Sequence, residues 1–125
     1  MSKIILMLLL LMSNSAMAGW SKVTVNEEVT IYAELSSLNK SSDKVKMWDL
    51  TDLKSKSTAN KFQSIKTFHE YDCKLQKSRI LAYTMYSGNM GNGNVLSSSN
   101  YAHDWLPVKS GGGVMTLWNT ACGKK

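Results

Sequence analysis

The stretch Phe62-Gln63-Ser64-Ile65-Lys66-Thr67-Phe68-His69-Glu70-Tyr71-Asp72-Cys73-Lys74-Leu75 decides the fold. It is rich in aromatic and β-branched residues, and neither Pro nor Gly breaks it, so it reads as one long strand. Alternate side chains leave a strand on opposite faces. The odd set is Ile65, Thr67, His69, Tyr71, Cys73 and Leu75, and the even set is Ser64, Lys66, Phe68, Glu70, Asp72 and Lys74. The odd set is expected to face the core and to carry Cys73 with it. The even set is expected to be mostly solvated.

Strand patterns continue on both sides. Residues 23–25 and 29–33 alternate with a period of two and read as the first two strands, joined at Asn26-Glu27-Glu28. Asn39-Lys40-Ser41-Ser42-Asp43 reads as a turn, residues 44–53 as a third strand and residues 54–60 as a surface loop. Residues 79–87 are apolar or aromatic on both faces, as a central strand requires. The Gly- and Asn-rich run 88–93 reads as a tight connection to a short sixth strand at 94–98. Trp105-Leu106-Pro107 is expected to end the sheet. Ser110 is placed as the N-cap of a last helix running to about Ala121, with Val114, Leu117, Trp118 and Ala121 as its apolar face.

The first 18 residues have the form of an export signal. Lys3 precedes an apolar run at 4–12, and Ala16-Met17-Ala18 supplies the small-residue spacing that a signal peptidase needs. The apolar run is far short of the ~20 residues that span a bilayer. A mature, unlipidated chain is therefore expected to begin at Gly19. The other reading, an uncleaved N-terminal anchor, fits the length and flanks less well. Residues 19–125 then form a single small domain. Four of the 8 Met leave with the signal (Met1, Met7, Met12 and Met17), and the rest are scattered as core filler.

The only cysteines are Cys73 and Cys122. In an exported protein two cysteines most simply join. The bond would close a loop of about 50 residues and contribute about 3–4 kcal/mol by the chain-entropy model. A free nucleophilic or metal-binding pair is the alternative, and it suits a reducing compartment better. The net charge of +6 falls to about +5 without Lys3, which favours anionic partners and also serves solubility.

Catalytic patterns are thin. His69 and His103 are the only histidines, and Glu70 and Asp72 beside His69 point to the other face of its strand. His69 is read as a partly buried structural residue. His103 and Asp104 are adjacent, and adjacent side chains rarely converge on one proton. Two His without free Cys close a tetrahedral zinc site only with carboxylates, and the sequence singles none out, while Gly88, Gly91 and Gly93 do not have phosphate-loop spacing. Recognition is better supported. Lys44 and Lys46 share one strand face with Trp48 beside them, and Lys66 and Lys74 share another with Phe68 between. Cations interleaved with aromatics suit anionic or carbohydrate ligands. The competing use of such lysines is to cover sheet edges and block aggregation.

The order of signals resembles a known family. It runs Trp20, Val45-Lys46-Met47-Trp48-Asp49-Leu50, Glu70-Tyr71-Asp72-Cys73-Lys74, Tyr86-Ser87-Gly88, Gly93-Asn94-Val95, Trp105-Leu106-Pro107-Val108 and a final helix ending in Cys122. This is similar to the bacterial surface-adhesin protein E-like domain. The resemblance implies an antiparallel sheet of about six strands covered by a C-terminal helix, with the two cysteines joined. It also implies a bacterial envelope setting and, in the member that names the family, binding to host extracellular-matrix proteins. That member resembles a lipid-anchored protein, whereas this chain has Gly19 where the lipidated Cys would stand.

The sequence thus reads as an α+β domain: an antiparallel sheet of about six strands, one C-terminal helix and one disulfide. The expected function is an exported, adhesin-like binding module that is not an enzyme and needs no cofactor or metal. Its expected partner is a protein or an anionic glycan, not nucleic acid. Lys44, Lys46, Trp48, Lys66 and Lys74 are the candidate ligand-binding residues. A small periplasmic structural or inhibitory protein is the second reading. Either way the chain is expected in the periplasm or outside the cell, without a membrane span or a lipid anchor.

Overall fold

The computed structural model of the protein describes residues 19–59 and 61–124. The leader reading and its cleavage site at Ala18 lie at or beyond the edge of the described residues. Seven strands form one antiparallel sheet: β1 (Ser21–Val25), β2 (Val29–Ser41), β3 (Lys44–Leu53), β4 (Ser64–Asp72), β5 (Lys77–Tyr86), β6 (Val95–Ser99) and β7 (Leu106–Pro107). The first six pair in chain order as a meander, and β7 pairs with the start of β5. One helix, α1 (Gly113–Cys122), follows β7. β5 is thus an interior strand, as its two apolar faces require.

The core lies between one face of the sheet and α1. Ile31, Ala33, Met47, Tyr71, Val108, Leu117 and Trp118 form it, with Val23, Val29, Met115 and Ala121 packed at its rim. β4 contributes its odd-numbered side chains, as its alternation predicts. Cys73, one residue beyond β4, is bonded to Cys122 at the end of α1, with Cα atoms 5.6 Å apart. The bond therefore ties the helix to the sheet on the core side.

Several expectations need correction. The turn at 39–43 shrinks to Ser42 and Asp43, and β2 runs on through Ser41. What interrupts β2 is a bulge between Glu34 and Asn39. There Ser37 Oγ donates to Glu34 O at 2.6 Å and accepts the Trp48 N–H at 2.9 Å. Trp105-Leu106-Pro107 ends the sheet by supplying its last strand, since Leu106 and Pro107 pair with Ser78 and Lys77.

The helix begins at Gly113 rather than after Ser110, and its N-cap Gly112 makes no side-chain cap bond. Gly113 is required by close approach, since a Cβ there would lie 2.5 Å from Ile31 Cδ1. Leu117, Trp118 and Ala121 face the core as the spacing predicts. Val114 is 40 % exposed, and Met115 packs on the core in its place.

The even-numbered face of β4 is not mostly solvated. Ser64, Glu70 and Asp72 are buried there. At one end the connection 87–94 folds back over this face. Ser64 Oγ donates to Gly88 O (2.6 Å) and accepts the Gly91 N–H (2.9 Å), while Asp52 Oδ1 accepts the Met90 N–H (2.9 Å). Gly91 lies against Leu50 and Tyr86, which is why Leu50 is only 1 % exposed. The sheet therefore has two partly covered faces: α1 lies on one, and this loop with Trp105 lies on the other.

Candidate functional site

The register of β3 and β4 places Lys44 opposite Asp72, Lys46 opposite Glu70, Trp48 opposite Phe68 and Leu50 opposite Lys66. Lys44, Lys46, Trp48 and Lys66 therefore share one face, the face away from α1, and not two. Lys74 does not join them. It sits in the β4–β5 turn, where its N–H and that of Leu75 donate to Asp72 Oδ1 at 3.0 and 2.9 Å. Strand parity alone placed Lys74 with Lys66, but the strand ends at Asp72.

On this face the cations and aromatics interleave. Trp48 and Phe68 stack with ring centroids 4.7 Å apart. Lys66 Nζ lies 4.9 Å from the Trp48 centroid and 5.9 Å from that of Trp20. At the other end, Arg79 lies 4.6 Å and Lys44 Nζ 5.9 Å from the Trp105 centroid. Such contacts each contribute roughly 0.5–1 kcal/mol at exposed sites and fix the rings and charges relative to one another.

Acidic groups sit among the cations, and most are engaged. Arg79 Nε and Nη2 donate to Glu70 Oε1 at 2.8 and 2.7 Å. Lys44 Nζ lies 3.6 Å from Asp72 Oδ2. The Leu75 N–H first, then the Lys74 N–H and Lys44, hold the Asp72 carboxyl below the usual carboxylate range, against the opposing effect of burial. Among the described residues, Lys46 and Lys66 form no ion pair.

Trp20, Arg79 and Trp105 belong to this face and were not singled out from the sequence as binding residues. Arg79 could have been found from the β4–β5 register, which sets it opposite Glu70. Trp20 and Trp105 lie outside the strands, and nothing local announces which face they cover.

The two histidines lie on the α1 side. His69 is buried, and its Nδ1 is hydrogen-bonded to Asp49 Oδ2, a residue on β3 rather than either sequence neighbour. Burial pushes the Asp49 carboxyl up, and the bond to His69 pulls it back in part. Tyr71 lies beside this pair with a buried hydroxyl that has no hydrogen-bond partner among the described residues, and burial followed by the Asp49 charge pushes its phenol well up. His69 and His103 both line a cleft of about 360 Å³ with Ser78, Ile80, Leu106 and Val114. His103 Nε2 is 3.2 Å from Ser99 Oγ, and Tyr101 stacks on its ring. His69, held by Asp49, and His103, in contact with the Ser99 hydroxyl, thus stand in one cleft. No cluster of three or more His, Cys, Asp or Glu among the described residues is arranged to hold a metal ion.

A sequence model of the surface-adhesin protein E family matches residues 20–123. The chain belongs to this family. The fold agrees. A crystal structure of Haemophilus influenzae protein E, crystal form II, superimposes with a TM-score of 0.64 at 12% identity, covering 84% of this chain and 87% of that one. Another structure of the same protein gives 0.60 at 13% identity, with 84% of each chain covered. Protein E from non-typeable Haemophilus influenzae gives 0.56 at 13% identity, over 84% of this chain and 76% of that one. No curated protein sequence matches significantly. Membership in the family makes this an adhesin-like surface protein. No helix among the described residues is long and apolar enough to cross a membrane.

Proposed function

We propose that the chain is an exported, non-catalytic binding module, and that the sheet face away from α1 engages an anionic macromolecule. Family membership supports adhesion to a host molecule as the setting. The observation that carries the reading is the gathering of Lys44, Lys46, Lys66 and Arg79 with Trp20, Trp48 and Trp105 on that one face. Lysines that only cover a sheet edge would project into solvent, whereas Lys44 and Lys46 rise from β3, an interior strand. Lys44 and Arg79 offset Asp72 and Glu70, Glu34 opposite Trp48 shares the face, and Lys46 and Lys66 are the cations that no carboxylate holds among the described residues. Such binding weakens with salt, because exposed charges act within ~8 Å at physiological ionic strength.

The test is retention on a heparin or lipopolysaccharide column at low salt. The wild type is expected to bind and to elute as salt rises. The triple variant Lys44→Gln, Lys46→Gln, Lys66→Gln is expected to flow through with its fold intact, while Lys74→Gln elutes with the wild type. Equal retention of the triple variant would show that these lysines only keep the surface soluble.

A further inference from the structure

Asn39, Ser41, Lys44, Lys46 and Glu70 line a cavity of about 260 Å³ at one end of the face away from α1. The strand register builds it. Asn39 stands opposite Lys46, which stands opposite Glu70, so β2, β3 and β4 each put one polar side chain into the same row. Ser41, Lys44 and Asp72 form the next row. The bulge between Glu34 and Asn39 is what brings Asn39 and Ser41 into this register.

Part of this polar capacity is used and part is not. Lys44 is held by Asp72, and Arg79 engages only Oε1 of Glu70. Lys46 forms no ion pair among the described residues, and the side chains of Asn39 and Ser41 make no hydrogen bond there. Glu70 Oε2 likewise remains available as an acceptor. One cation, one amide, one hydroxyl and one carboxylate oxygen thus converge without internal partners. Lys44, on the cavity wall, also faces Trp105, whose ring centroid lies 5.9 Å from its Nζ.

This set is selective. With one unpaired cation among its lining residues, Lys46, the cavity itself matches a single negative charge. A neutral sugar would leave Lys46 unmatched. A sugar ring that carries one carboxylate matches every group. Its carboxylate meets Lys46 in a charge-assisted hydrogen bond. Its hydroxyls donate to Glu70 Oε2 and exchange hydrogen bonds with Asn39 and Ser41. The volume falls just under the range usual for ligand pockets, which suits a single ring.

We propose that this cavity is a subsite for a carboxylated pyranose, the chemistry shared by uronates and sialates. The proposal rests on the anionic-partner reading above and names the chemical class that this end of the face selects.

Backbone amide shifts of protein purified from cells expressing the full chain are followed while it is titrated with D-glucuronate, N-acetylneuraminate, acetate or D-glucose. At least one of the two sugar acids is expected to give saturable shifts at residues 39–46 and 70. Acetate and glucose are expected to bind at least about tenfold more weakly, since each offers only part of the set. Lys46→Gln is expected to weaken sugar-acid binding at least about tenfold, the loss of one charge-assisted bond. Lys109→Gln, before α1 and outside the cavity lining, leaves it unchanged. A preference for glucuronate or for N-acetylneuraminate assigns the source.

The absence of saturable shifts with both sugar acids overturns the subsite. So does equal binding of acetate or glucose, or wild-type affinity in Lys46→Gln. Heparin retention without sugar-acid binding overturns the subsite alone, whereas sugar-acid binding without heparin retention overturns the broader reading alone.

Discussion

Trp118→Ala is expected to lower the folding stability by about 4 kcal/mol, within the 3–5 kcal/mol range for truncating a buried aromatic. Trp118 is only 6 % exposed and sits among Ile31, Met47, Tyr71 and Val108. Two effects add. The truncation empties space between α1 and the sheet that the helix cannot close, because the disulfide and Gly113 hold both its ends near the sheet. It also removes the indole N–H that donates to Asp72 O at 2.9 Å. An orphaned buried carbonyl costs about 1–3 kcal/mol. Urea denaturation of the wild type, Trp118→Ala and Trp118→Phe separates the effects. The Phe variant keeps most of the apolar volume and is expected to lose only about 1–2 kcal/mol. An unchanged midpoint in Trp118→Ala would mean that α1 does not seal the core.

Loss of the disulfide is expected to have a similar effect. The bond joins residues 49 apart in the sequence. Constraining a loop of that size in the unfolded chain is worth about 4 kcal/mol in the chain-entropy model. Against a total stability of ~5–15 kcal/mol this is a large fraction. The double variant Cys73→Ala, Cys122→Ala avoids a stray thiol and is the cleaner comparison. Its denaturation midpoint is expected to fall steeply, and α1 is expected to detach first, since the bond ties its last residue to the end of β4. Two titratable thiols in the native protein without reductant, or an unchanged midpoint in the double variant, would contradict this.

The sequence was legible where local chemistry decides the structure. The third strand was read at 44–53, as found. The odd face of β4 was read as the core face because alternation is a property of the strand alone. The pairing of Cys73 with Cys122 followed from cysteine count and expected compartment. Misreadings arose where distant segments meet. Ser64 and Leu50 are buried by a loop more than 20 residues further on, which no alternation pattern announces. Val114, in the first turn of the helix, is exposed while Met115 packs on the core, a difference that the 3.6-residue spacing alone does not announce.

The candidate site followed the same division. Lys44, Lys46 and Trp48 were grouped correctly by spacing within one strand. Lys66 was placed on a separate face because joining β3 to β4 needs the interstrand register, which spacing within a strand does not supply. Lys74 was included because its parity matched, although the turn that Asp72 caps had already ended the strand. Trp20, Arg79 and Trp105 complete the face only through contacts between segments far apart in the chain.

Lysine-reactivity footprinting of the protein alone and saturated with heparin tests most directly whether the face away from α1 is the binding surface. Lys44, Lys46 and Lys66 are expected to lose reactivity in the complex, while Lys74 in the β4–β5 turn and Lys109 before α1 react as in the free protein. Protection confined to Lys74, Lys109 or Lys124, with Lys44, Lys46 and Lys66 unchanged, would contradict the account.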